Sequence, residues 1–152
     1  TLEQLETNLQ FYYTGIERDA NDTLSEQDSK SKAGDVAMFD NLNRIKDIGL
    51  MTRKALEAGR VDMLGDFFKA HWELKKKRSD KMTNFRIDEC YVEALKNGAR
   101  GGKIIGGGGG GFFMFYCLDK DKMQLNQAMK KLGLRHVRFG FDFDGAKILV
   151  NT

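Results

Sequence analysis

Apolar residues along the chain change rhythm partway, from helical spacing to extended runs. Asn8 to Ile16 (NLQFYYTGI) is rich in aromatics without a helical stripe, which predicts a strand that Gly15 breaks. From Glu17 to about Lys30, Ala20 and Leu24 lie four apart among good helix formers, so a helix is expected there. Asp35 is placed to cap a second helix. In it Met38, Leu42, Ile45, Gly49, Thr52 and Leu56 recur at steps of three and four, and Gly59 marks its end. Val61, Leu64, Phe68, Trp72 and Lys75 form the stripe of the next helix. Lys75 therefore borders the buried face, while Lys76 and Lys77 rotate away by about 100° each. Another helix is expected from about Phe85 to Asn97, capped by Asn84, with Ile87, Tyr91 and Ala94 or Leu95 inward and Gly98 as terminator.

Beyond Gly98 the pattern becomes extended. Ile104 and Ile105 lead into the glycines Gly106 to Gly111, and Phe112 to Cys117 (FFMFYC) follows as a continuous apolar strand, expected at the centre of a sheet. Lys120 to Leu132 then predicts a helix presenting Met123, Leu125, Ala128, Met129 and Leu132, ended by Gly133. Arg135 to Phe143 and Lys147 to Val150 alternate around Asp144-Gly145, a hairpin signal. The order strand, helices, strand, helix, two strands predicts an α+β fold. A ferredoxin-like antiparallel or mixed sheet covered by helices is the first choice.

Length and composition fit one ordinary domain: 152 residues, 41% hydrophobic and 31% charged, enough to bury about 68–70% of the unfolded surface without disulfide or metal support. No apolar run approaches the roughly 20 residues that span a bilayer, and Thr1 to Gln10 lacks a signal peptide's basic start and apolar middle. The expected location is cytoplasmic, with no membrane partner. Cys90 and Cys117 lie far apart outside any CxxC or His-rich context, arguing for reduced thiols and against a zinc site. The net charge is +3, and its positive part is concentrated between Lys69 and Lys81, where Lys69, Lys75, Lys76, Lys77, Arg78 and Lys81 face only Glu73 and Asp80. The rest of the chain is near neutral, so a broad nucleic-acid-binding face is not expected. The basic segment reads either as a solvated helix end or as an anion site for phosphate.

The glycine run carries the sharper signal. Six consecutive glycines suit a flexible linker, yet isoleucines lead in and an apolar strand leads out, anchoring both ends in buried structure. Each glycine in place of alanine forgoes about 0.4–1 kcal/mol through unfolded-chain entropy. Over the run this is on the order of several kcal/mol, against a domain stability of ~5–15 kcal/mol. Such a segment suits a backbone that must adopt positive φ angles or approach a ligand or another loop closely, and its N–H groups can cradle an anion. A dinucleotide fold is not supported, because the glycines lead into a strand instead of a helix. A Walker loop fails too, since no Ser or Thr follows Lys103.

Gly101-Gly102-Lys103-Ile104-Ile105 with Gly106 to Gly111 and Phe112 resembles the third motif of the GHMP kinase superfamily, roughly G-x-K-x-x-G-A-G-G-G-G before an apolar strand. Phe11-Tyr12-Tyr13-Thr14-Gly15-Ile16 with Arg18, His71-Trp72-Glu73-Leu74-Lys75-Lys76, and Asn84 with Arg86-Ile87-Asp88-Glu89 resemble one branch. That branch phosphorylates the anomeric hydroxyl of D-glycero-D-manno-heptose 7-phosphate. The likeness runs through nearly the whole chain. Gly107 departs from the usual alanine, and Phe85 from the proline common in the branch.

The resemblance implies that residues 1–152 form a C-terminal domain whose N-terminal ATP-binding domain is absent from this chain. The superfamily's P-x-x-x-G-L-G-S-S-A type phosphate loop and catalytic residues belong to that domain. A start at Thr1 fits a processed product or a piece of something longer, expected to be inactive alone. For the intact enzyme the resemblance implies ATP and Mg²⁺ as cofactors and heptose 1,7-bisphosphate as product. Gly102, Lys103, Gly106, Gly107, Gly108, Gly109, Gly110 and Gly111 would then support the nucleotide phosphate loop, and Arg18 and Lys75 would bind the 7-phosphate. Lys103 is expected to brace the loop, and valine at Gly108 or Gly109 to impair the kinase while leaving the fold largely intact. The expected partners are the sugar phosphate, ATP and the missing domain, and a homodimer is compatible with this. Other readings are a GHMP kinase for fucose, galactose or another alcohol, and a non-catalytic ferredoxin-like binding module.

Overall fold

The computed structural model describes all residues except 18–24, 26–27, 30–31, 33, 107 and 146–152. A short helix α1 (Leu2–Asn8) runs directly into strand β1 (Leu9–Tyr13). Three helices follow: α2 (Val36–Glu57), α3 (Leu64–Lys76) and α4 (Phe85–Lys96). Strands β2 (Ala99–Ile105) and β3 (Phe112–Cys117) come next, then helix α5 (Lys122–Lys131) and strand β4 (Arg135–Val137). The sheet has the order β2-β3-β1-β4 with every pair antiparallel. This is the expected α+β ferredoxin-like arrangement, with additional helices between β1 and β2. No helix among the described residues is long and apolar enough to cross a membrane.

Alternation along the strands divides the core into two layers. Tyr12, Ile104, Phe113, Phe115 and Cys117 face α4 and α5, meeting Ile87, Tyr91, Leu125 and Met129, with Trp72 of α3 joining them. Leu9 and Tyr116 face the other way, onto Leu5 of α1, Ala55 of α2 and Leu64, Phe67 and Phe68 of α3. Phe113 and Phe115 stack at 4.9 Å between centroids, and both are fully buried. Truncating either to alanine costs about 3–5 kcal/mol by the usual core relation. The central place expected for Phe112 to Cys117 holds, since β3 lies between β2 and β1.

Helix ends follow the sequence closely. Asp35 Oδ1 accepts the Met38 N–H at 3.1 Å, and Asn84 Oδ1 accepts the Ile87 N–H at 3.0 Å. The stripe expected for α3 is buried throughout, Lys75 included.

Four expectations need correction. The first strand begins at Leu9 and stops at Tyr13, because Leu2 to Asn8 coil into α1 and carry Leu5 into the second layer. In α2 the inward row passes through Ile48 and Ala55, and Gly49 is exposed. Met123 is 72% exposed, because α5 starts at Lys122 and turns Leu125, Ala128 and Met129 inward. At the end of the chain β4 closes at Val137. Phe139, Phe141 and Phe143 then form a series of ring contacts without strand pairing, beginning on Phe11. Asp142 Oδ1 accepts the Asp144 N–H at 2.8 Å in a local turn. Most of the helix expected from Glu17 to Lys30, and Lys147 to Val150, fall outside the described residues.

Candidate functional site

Helix α3 lies along the edge strand β2 at backbone contact. A Cβ on Gly101 would stand 1.9 Å from the Gly65 carbonyl oxygen, and one on Gly65 would stand 2.7 Å from Arg100 Cβ. Contacts then advance together: the Lys103 ammonium over the Phe68 ring at 5.4 Å, and Lys75 at Ile104 and Gly106. The carboxyl end of α3 therefore arrives where β2 gives way to the glycines.

From Gly106 the chain makes a closed, packed turn between β2 and β3. The Gly109 N–H donates to the Met82 carbonyl at 2.8 Å and the Gly111 N–H to the Ile16 carbonyl at 2.8 Å. The Gly111 carbonyl accepts from the Thr14 N–H and from Thr14 Oγ1, each at 2.9 Å. Asn84, which caps α4, also donates from Nδ2 to the Gly109 carbonyl at 3.2 Å. Gly108, Gly109 and Gly110 are buried, while Gly106 is exposed. A Cβ on Gly108 would meet Met82 Sδ at 2.6 Å, and one on Gly110 the Ile16 carbonyl at 2.5 Å. The bare main chain thus serves close approach to two other segments, Thr14 to Ile16 and Met82 to Asn84. The N–H groups of Gly109 and Gly111 turn inward to carbonyls, so these two do not form an open anion cradle. Valine at Gly108 would strike Met82 at a φ of +92°, so it strains the fold as well as the loop.

Lys75 is 8% exposed, and its Nζ donates to the Gly106 carbonyl at 2.6 Å and the Ile104 carbonyl at 3.2 Å. Burial, with Lys103 and Arg78 nearby, pushes its pKa down to about 8. His71, one turn earlier, is pushed down to about 4 by burial and by Lys103, Lys75 and Arg78, so it is neutral at pH 7. Its Nδ1 is buried without a hydrogen-bond partner. Burial also lowers Lys103 and Arg78. Arg78 Nε donates to Asn41 Oδ1 at 3.2 Å, and Asn41 Nδ2 donates to the Leu74 carbonyl at 2.8 Å, tying α2 to the end of α3. The basic run resolves into different duties: Lys75 under the loop, Lys76 paired with Glu73 at 3.0 Å, and Lys77 at the exposed helix end.

Of the residues singled out from the sequence, Lys75, Lys103 and the described glycines gather at one end of β2. Gly102 belongs to the packing, since a Cβ there would stand 2.2 Å from the Phe115 ring. Arg18 and Gly107 lie outside the described residues. Sequence reasoning missed Met82 and Ile16 as loop partners, since both hydrogen-bond the loop through main-chain carbonyls, which leave no mark on residue type. A recess of about 660 Å³ lies between α5 and the β4 edge, lined by Gln10, Lys122, Asn126, Lys130, His136 and Arg138 among others. None of its lining residues belongs to the glycine loop.

This fold agrees with known proteins. The family described as GHMP kinases C terminal matches residues 52–136, and the chain belongs to that family. It is 31% identical over 144 residues to D-glycero-alpha-D-manno-heptose 7-phosphate kinase of Campylobacter jejuni, covering 95% of this chain and 42% of the relative. The chain thus spans less than half the length of that relative. Among solved structures, L. major mevalonate kinase in complex with R-mevalonate superposes with a TM-score of 0.74 at 18% identity, covering 81% of this chain and 37% of that one. A D-glycero-D-manno-heptose 1-phosphate kinase from Bacteroides thetaiotaomicron gives 0.58 at 24% identity, covering 92% and 34%. These two likenesses show the shared fold.

Proposed function

We propose that this chain is the C-terminal domain of an ATP-dependent kinase that phosphorylates the anomeric hydroxyl of D-glycero-D-manno-heptose 7-phosphate, giving the 1,7-bisphosphate. The observation that carries the reading is identity to a heptose 7-phosphate kinase along 95% of the chain. The packed glycine loop supports it, being built to offer bare backbone as one wall of a site. Phosphoryl transfer depends chiefly on positioning and charge stabilisation, so a wall without reactive side chains contributes by shape.

Gly109 and Gly111 commit their N–H groups to Met82 and Ile16 respectively, and no three His, Cys, Asp or Glu side chains among the described residues converge as metal ligands. In this proposal both cofactors are held by a preceding domain, and so are the groups that perform the chemistry. Arg18 remains the proposed partner of the sugar's 7-phosphate. Lys75, the second such proposal, must reach it with the donor capacity left after two carbonyls.

The test is to read the coding sequence upstream of Thr1 and assay the full-length product against heptose 7-phosphate, fucose, galactose and mevalonate. A phosphate loop upstream and clear preference for the heptose are expected. Preference for another acceptor overturns the substrate, and absence of the upstream loop overturns the kinase.

A further inference from the structure

Among the described residues, the charged and titratable groups that act on the cation under the glycine loop are basic: Lys75 faces His71 on its own helix, Arg78 from the turn that follows and Lys103 from β2. The nearest acid on the helix, Glu73, pairs with Lys76. A buried ammonium in such company is costly unless its hydrogen bonds are good, and the two that Lys75 makes go to alternate carbonyls, Ile104 and Gly106, where the strand ends.

We propose that the Lys75 ammonium is a positioning group for the glycine loop, fixing the direction in which the chain leaves β2 by holding the Ile104 and Gly106 carbonyls together. Gly106, at φ +86°, is where the chain turns out of the strand, and a Cβ there would meet nothing within 4 Å. The side-chain side of this residue is open, and its carbonyl is held by the clamp. Downstream, Gly109 and Gly111 can reach Met82 and Ile16 only if the turn starts in the right direction. The cation acts through the backbone and need touch no ligand. This deepens the proposed function by naming what holds the wall of that site.

The folded pKa of Lys75, about 8, lies below the usual 10.5. Between these values the unfolded chain binds more protons, so global stability rises with pH across this window. Any loop opening that hydrates Lys75 is disfavoured by rising pH in the same sense, so the clamp is read by changing the side chain at one pH.

Amide hydrogen exchange of the 152-residue chain reads this directly, with Gly109 and Gly111 reporting the loop and Phe113 the core. Corrected for intrinsic rates, the two glycine amides should open about tenfold more in Lys75→Met than in the parent at pH 7, while Phe113 changes far less. Lys75→Arg, which can still donate to carbonyls, should keep most of the loop's protection. A Lys75→Met loop as protected as the parent's overturns the proposal, as does a loss at Phe113 equal to that at the glycines. Should Lys75→Met fail to fold, Lys75→Gln is read in the same way. Because no turnover is measured, failure here leaves the kinase reading standing.

Discussion

Gly101 and Gly102 stand before Lys103, and the run from Gly106 stands three residues further on, yet they are glycine for different reasons. The first pair sits in strand β2, just past a shift of register against β3, and makes room: one lets α3 lie against β2 at backbone contact, the other receives the Phe115 ring. The second set makes a turn that side chains with ordinary φ preferences would not follow, and only some of its members are also short of space. A single glycine-rich motif thus combines a packing device with a conformational one, and substitution separates them.

Gly101→Ala should have the largest effect. Its Cβ would overlap the Gly65 carbonyl oxygen at 1.9 Å, and backbone cannot step aside as a side chain can. A loss of about 3 kcal/mol or more is expected in denaturant unfolding; a loss under ~1 kcal/mol would show that α3 slides freely on β2. Gly108→Ala comes next, at about 2 kcal/mol, combining its positive φ with contact at Met82. Gly106→Ala keeps a similar φ but meets nothing within 4 Å, and should cost about 1 kcal/mol. Equal losses at Gly106 and Gly108 would make conformation the whole account of the loop. Asn84→Ala removes the cap of α4 and the bond to the Gly109 carbonyl, for about 1 kcal/mol. Its loop amides should exchange faster than those of a cap variant at Asp35, which touches no loop.

At neutral pH the smallest effect should be that of His71. Its folded pKa of about 4 lies below the ordinary 6.5, so the unfolded chain binds the proton first. Stability is then full above about pH 6.5 and declines as pH falls toward 4. His71→Gln should flatten that decline in thermal unfolding between pH 4 and 7, and an unchanged slope would remove His71 from it.

How much of this was legible depends on which kind of group carries the contact. The caps Asp35 and Asn84, the stripe of α3 and the central strand follow from residue type and spacing, because they are local or periodic. Family membership was legible from the glycine motif and its surroundings. Helix α1 was missed because the aromatics from Phe11 to Tyr13 drew attention to a strand, whereas Leu5 and Leu9 find their partners only in the folded core. Lys103 is expected from the sequence to brace the loop, and the side-chain hydrogen bond that reaches Gly106 comes from Lys75. Spacing placed Lys75 at the border of the buried face, but not that its ammonium would end on two carbonyls of the loop while Lys103 lies over Phe68.

The close seat of α3 along β2 also bears on how the chain behaves at high concentration. Unpaired amide groups on an open strand recruit further strands and start fibrils. Here the long outer strand carries a helix packed closely against it at Gly101, and the opposite rim, β4, is three residues long. Among the described residues the sheet therefore offers little template for growth, and a variant that lifts the helix from its glycines should aggregate before it loses its secondary structure.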